Sequence, residues 1–512
     1  MTGLASRLGD RVNPIVVKEA RQAVNSRLVG ATLLVFLGVQ LLVMVLMIGY
    51  REAASTGDID MRAGRDVFMF VQAVLLGTCL LLVPALTGGR LAAERSDVNV
   101  DLLFVTSLTP RAIMAGKLVT AAATALLIFS ACAPFMTFAY VLRGLDFPTI
   151  ALVLAADFLV VMFGTMFALL LAAVPANRGG RIVLGIGGFV FLCVVFSYVV
   201  AMTADFLRYG GSRFDTASAE FWLGFLGVAL GVAGAIGLMF VWATALITPP
   251  TANRALVVRA YTLGYWLVAA VGCAVWSWYI EHSGPVYAWG VCGAVVFAAQ
   301  LLVGISERDE LGPRVRRRIP RTQLLRLPAW LLTSGAAGGI AFALFGGALS
   351  AAGVLVWHGL TRHTTMSWTT RWWAPAVVAG MIIGYAYGYG LTAVLVRRLL
   401  RNTALKGSYT WLVALILFGL GCMGPFLVRV MFLPRQYGYG YPPDTLWLYL
   451  PNPVVMIDNA TGSMHPLPEL TFTFLLAWGG VVTLANVPWL VKQVRDFRPP
   501  DGPDEPDAAE TP

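Results

Sequence analysis

Charge is what this sequence has least of. Only 12% of its 512 residues are Asp, Glu, Lys or Arg, about half of the ~25% usual in soluble domains. A water-facing globular surface is excluded over most of the chain. Histidine is scarce too: His282, His358, His363 and His465 are the full set. They fall in loops or at loop edges, and His358 and His363 stand five apart rather than at the i, i+4 spacing of a helical metal pair. No metal site is expected. The six cysteines, Cys79, Cys132, Cys193, Cys273, Cys292 and Cys422, lie in or beside apolar runs without metal or redox spacing. They read as small core residues. A phosphate-binding G-x-x-x-x-G-K-[ST] loop is also missing. "RAIMAGKLVT" contains Gly116-Lys117 but lacks the upstream glycine and the hydroxyl residue. No nucleophile–base pair and no cluster of acids and histidines at one depth suggests catalysis. The chain is not expected to be an enzyme or to bind a cofactor of its own.

What is present is apolar sequence: 58% of the residues are hydrophobic. Runs of roughly 20 such residues recur, and at 1.5 Å per residue each can cross a hydrocarbon core of ~30 Å. The expected fold class is all-α, a polytopic transmembrane helical bundle. Twelve spans are predicted near 28–50, 67–89, 113–142, 149–175, 181–206, 221–247, 262–281, 286–305, 328–357, 374–396, 409–432 and 470–491. No cleavable signal is read, because the first run starts behind about 27 residues rich in charge. With the N-terminus inside, 27 of the 37 basic residues fall on the inner side of this topology. That asymmetry supports the count and puts both termini in the cytoplasm. It also accounts for the net charge of +10 without nucleic acid, since the basic residues are spread over many inner segments.

The domain reading follows: an N-terminal amphipathic helix in 1–27, six spans in 28–250, six more in 251–491, and an acidic, proline-rich tail in 492–512 read as disordered. In "NPIVVKEARQAVNSR", Asn13 suits an N-cap and Pro14 the first helical position. Lys18, Arg21, Gln22 and Asn25 share one face and Val17, Ala20, Val24 and Leu28 the other. This helix is expected to lie in the membrane interface, with Glu19 beside its basic side.

Residues 90–117 are long for a connection, which usually needs ~2–8 residues. Glu94, Arg95, Asp97 and Asp101 accompany an apolar stripe that includes Val98, Leu102 and Val105, with Leu103 beside it. Ser96 can cap that helix. Thr109-Pro110 then restarts a helix toward Lys117. A stripe with a charged rim suits either a protein partner or packing on neighbouring spans.

Taken together, "NPIVVKEARQAVNSR" before span one and "ERSDVNVDLLFVTSLTPRAIMAGK" after span two resemble permease subunits of the ABC-2 type, the membrane half of certain ABC exporters. The resemblance is good over about residues 10–145 and weaker to about 250. It implies that Asn13, Pro14, Lys18, Glu19 and Arg21 belong to an interfacial elbow helix. It places Glu94, Arg95, Asp97, Asp101, Leu102 and Leu103 in the coupling region that docks on a separate ATPase subunit. ATP and magnesium would then sit on that partner. A second permease chain and a cytoplasmic-membrane location are implied as well. Such permeases commonly have about six spans, so twelve is a departure. A tandem pair would explain it: "NRALVVRA" (253–260) echoes "NPIVVKEA" (13–20), "SERDE" (306–310) stands where "AERSD" (93–97) does, and Ile319-Pro320-Arg321 matches Thr109-Pro110-Arg111.

Three other features stand out. Asp157 is an acid well inside a span, an expensive placement. It makes the chief rival reading an ATP-independent secondary transporter with Asp157 as coupling carboxylate; a membrane scaffold anchoring an ATPase is another. Gly380, Gly384 and Gly388 stand four apart on one face, which favours close helix packing. The outer loop from about 433 to 470 is rich in Tyr, Gly and Pro and is expected to form an ordered cap on the outer interface.

Overall fold

The structure is a computed structural model, and it describes residues 14–24, 27–54, 63–94, 109–142, 145–176, 178–213, 218–249, 253–317, 319–361, 373–400, 407–432, 447–461 and 468–499. The described residues are helical, with no strand. Twelve helices are long and apolar enough to cross a membrane. The chain divides into two compact units, 1–248 and 249–512.

Unit 1 begins with the short helix α1 (Pro14–Val24), which Pro14 opens, and continues with six spans. These are α2 (Arg27–Ala54), α3 (Ala63–Glu94), α4 (Pro110–Val141), α5 (Phe147–Ala173), α6 (Arg178–Arg213) and α7 (Ala219–Ile247). Helix starts follow side-chain capping. Thr109 Oγ1 accepts the Ala112 N–H at 3.2 Å ahead of Pro110, and Asp146 does the same for Thr149 ahead of α5. The core is built by α3 and α5, with Phe68, Leu75, Leu76, Cys79, Leu80 and Val161 fully buried against Ile128 and Cys132 of α4. Outward faces of α2 and α6 carry exposed Leu, Val, Ile and Phe, as helices facing lipid would.

Unit 2 holds α8 (Arg254–Tyr279), α9 (Gly284–Gly304), the short α10 (Gln323–Leu332), α11 (Ala336–Thr361), α12 (Ala374–Leu399), α13 (Thr410–Phe432), the short α14 (Pro453–Thr461) and α15 (Pro468–Asp496). The ninth span differs from its expected start at 328. Residues 323–332 form a separate amphipathic helix, and the span itself begins at Ala336. The chain breaks at Thr333–Gly335, where backbone groups bond to side chains of other segments rather than to the next helical turn.

The two units pack their spans in the same order. In unit 1 the second span packs on the first, third, fourth and fifth, and the fourth on the third, fifth and sixth. The third also packs on the sixth. In unit 2 each of these pairs recurs six spans further on. The central pair is therefore α3 and α5 in unit 1, and α9 and α12 in unit 2.

Gly380, Gly384 and Gly388 form a stripe on α12 that receives Phe472, Leu475 and Trp478 of α15. The stripe is filled by large side chains and lines no channel. Cys79 and Cys132 are core residues as expected, but Cys292 is exposed, on the outward side of α9.

Of the outer loop, the described residues 447–461 depart from expectation. After a 3₁₀ turn at Trp447–Tyr449 the chain turns at Leu450–Asn452 and leaves through α14. Tyr385 Oη donates to the Leu450 carbonyl at 2.7 Å, Tyr389 Oη to the Pro451 carbonyl, and Asn452 Nδ2 to the Cys422 carbonyl at 3.0 Å. Tyr389 lies about 22 Å along α12 from its outer end, and Cys422 about 18 Å along α13 from its inner end. Residues 447–461 thus dip toward the middle of the unit instead of lying on the outer interface. Their backbone is tolerated at that depth because protein groups satisfy it: Asn452 Oδ1 also accepts the Val454 and Val455 N–H groups at the start of α14.

Candidate functional site

Buried charged side chains among the described residues mark three places. The first is at the basic-loop end of unit 1. Glu19 projects from α1 and is 4% exposed, and Lys117 projects from the second turn of α4 and is 1% exposed. Lys117 Nζ lies 2.6 Å from Glu19 Oε1 and 2.9 Å from Glu94 Oε2 at the end of α3. Arg90 Nη1 stands 3.7 Å from Glu19 Oε2. Two cations and two carboxylates balance, which is the condition under which buried charge is tolerated. Thr87, Thr120 and Thr124 join Glu19, Arg90 and Lys117 around a cavity of about 20 Å³, room for one water.

This lock connects three elements distant in sequence. Glu94 and Lys117 are the two roots of the segment between spans two and three, and Glu19 fastens α1 onto both. Lys18, Arg21 and Gln22 are exposed on α1, as its polar face should be. Glu19 is not at the interface with them; it points inward because Lys117 and Arg90 meet it there. Arg111 is exposed, and Glu94 meets Lys117 instead. Asn13, Arg95, Asp97, Asp101, Leu102 and Leu103, with the expected helix after Ser96, lie outside the described residues, as does the tail beyond 499.

The second place is the matching end of unit 2. Arg259, 2% exposed, leaves the second turn of α8. Its Nη1 donates to the carbonyls of Leu331 at 2.9 Å and Thr333 at 2.6 Å, and its Nη2 to both Glu307 oxygens at 2.7 and 2.8 Å. Glu307 Oε2 also accepts the Gly335 N–H at 2.6 Å. Asn253 caps α8 and accepts from both the N–H and the hydroxyl of Ser334. Two residues beyond Glu307, Asp309 accepts from Arg397 of α12 and from Trp489 and Gln493 of α15. Glu94 and Glu307, matched in the sequence echo, thus stand at or just past the end of the second span of their unit and both meet a buried cation. Arg259 occupies the position that Glu19 holds in the other copy of the echo, so the charge at the start of the unit is reversed.

The third place is inside unit 1. Asp157 of α5 is 0% exposed, and both its oxygens accept from Gln72 Nε2 of α3, at 3.0 and 2.8 Å. Next to Gln72, the Val71 carbonyl accepts from Gln40 Nε2 at 3.0 Å, which also reaches Cys132 Sγ at 3.5 Å.

The arrangements at the basic-loop ends suit mechanical anchoring rather than bond chemistry: they contain matched charges and no activated nucleophile. Among the described residues no three His, Cys, Asp or Glu side chains gather to hold a metal ion.

No protein-family model, no curated protein and no solved structure matches this chain. Fold and composition define it as an integral, multi-pass, all-α membrane protein.

Proposed function

We propose that the chain is the permease subunit of an ABC-type exporter, driven by a separate ATPase that docks on the basic-loop face, with that face in the cytoplasm. The observation that carries this reading is the Glu19–Lys117–Glu94 lock. A docking handle can move helices only if its roots are stiff. Both roots of 95–108 meet in one ion cluster around the buried Lys117, so a push on that segment would move spans two and three together with α1. The residue pattern of 94–103, with its apolar stripe and charged rim, suits the partner. The repeated packing order supports a second expectation, that one chain supplies two six-span halves.

The test is co-purification of the tagged chain with an ATPase that carries a phosphate-binding loop. Replacing Asp101, Leu102 and Leu103 together by Ala is expected to lower ATPase recovery at least tenfold while leaving the chain's own yield and melting unchanged. Unchanged recovery would refute the docking assignment. A gradient-driven transporter is the second reading, favoured by the full burial of Asp157. It is separated from the first by whether the chain alone moves substrate without ATP.

A further inference from the structure

Asp157 is placed where a carboxylate has nothing to balance it. It stands about 15 Å along α5 from the helix start, beside a position of similar depth on α3, and it has no exposed surface. Among the described residues no Lys, Arg or His pairs with it, and its hydrogen-bond partner is one amide nitrogen, Gln72 Nε2. The elements around it add no charge at its depth; Arg65 and Asp66 of α3 lie in that helix's first turn. From α3 come Gln72 and the Cys79 thiol, from α4 the Cys132 thiol, and from α2 Gln40. On α6 the mid-helix titratable groups are Cys193 and Tyr198, and Tyr198 is turned outward. The charged Arg181, Asp205 and Arg208 of α6 and Glu220 of α7 lie within three turns of their helix ends. An ionised carboxylate in such surroundings costs so much that the group neutralises instead. The Gln40 side-chain oxygen, buried without a hydrogen-bond partner, marks the same neighbourhood as one where polar groups are undersupplied.

We propose that Asp157, with Gln72 as its hydrogen-bonding partner, is a proton-binding site in the interior of unit 1. The ligand is a proton, held by the carboxyl at neutral pH. In the neutral form one oxygen carries the hydrogen and the other accepts. The Gln72 amide can serve either oxygen, since it offers a donor on one side and, when turned, an acceptor. Losing the proton would leave a bare charge between the two central spans, so release requires water or a cation to reach the α3–α5 contact. The proposal rests on neither transport reading.

Infrared spectroscopy of the purified full-length chain in lipid nanodiscs tests it without any partner or substrate. Asp157 is the only fully buried aspartate among the described residues, so isotopic labelling of aspartate isolates it. At pH 7 the expected result is a protonated-carboxyl C=O band that shifts when aspartate carries carbon-13. It should disappear in Asp157→Asn and move to higher frequency in Gln72→Leu. If labelled aspartate gives only carboxylate bands at pH 7, the proposal is overturned. The labelled wild-type protein decides the matter even if a variant fails to fold.

Discussion

Arg259→Met is expected to destabilise unit 2 more than any other single replacement at the buried polar sites. The guanidinium joins the start of α8, the end of α10 and the Glu307 loop through one planar fork. Methionine keeps the stem length and removes every donor. Glu307 then remains with its Gly335 N–H bond but without its cation. Breaking one side of a buried pair costs roughly 3–5 kcal/mol, and each orphaned carbonyl adds about 1–3 kcal/mol. A melting temperature lower by about 10 °C or more follows for a unit of this size, read by size-exclusion after heating in detergent. Arg259→Lys should fall between wild type and Met, because one ammonium cannot span two carbonyls and a carboxylate at once. Arg259→Leu with Glu307→Leu should recover the part due to the lone charge, while the Leu331 and Thr333 carbonyls and the Gly335 N–H stay without their side-chain partners. If Arg259→Met melts like the wild type, the anchoring role is wrong.

Lys117→Met should have the next largest effect, roughly 3–5 kcal/mol, because it leaves Glu19 buried with only Arg90, 3.7 Å away, to balance it. The loss is expected to appear first at α1, which this pair fastens to α4. Trypsin should cut after Lys18 or Arg21 severalfold faster than in the wild type. The neutral double variant Glu19→Leu with Lys117→Leu should restore resistance. The charge-swapped pair, Glu19→Lys with Lys117→Glu, should not. It would put a lysine beside Arg90 and a glutamate beside Glu94, turning two attractions into two repulsions. Equal cleavage in all four proteins would show that packing alone holds α1.

Both predictions rest on contacts that the sequence only half displays. The twelve spans were legible because a run of about 20 apolar residues has few other uses. The glycine stripe at 380, 384 and 388 was legible because helical spacing alone puts those residues on one face. The start of span nine was misplaced because the leucines of 323–332 extend the apolar run. Leu324, 89% exposed, faces outward on its own short helix, and the break after it depends on Arg259 and Asn253, far back in the chain. Lys117 and Glu19 were visible as charges near an interface, but charge counting gives a side of the membrane and no depth. Their burial is a property of the pair. Asp157 was conspicuous as an acid among apolar residues, whereas Gln72, uncharged and 85 positions earlier, carried no signal of its own. The inward dip of 447–461 was hidden because the tyrosine-, glycine- and proline-rich stretch just before it reads as surface. The hydroxyls of Tyr385 and Tyr389, together with the Asn452 side chain, make that backbone tenable at depth.

The central claim is that 95–108 is a handle held by an ATPase, and a photo-reactive residue introduced in place of Leu102 tests it in intact membranes. Illumination should join the chain to a protein that mass spectrometry identifies as an ATPase with a phosphate-binding loop, and the joined species should vanish when Asp101 and Leu103 are also replaced by Ala. Cross-links confined to lipid or to this chain's own helices would contradict the account.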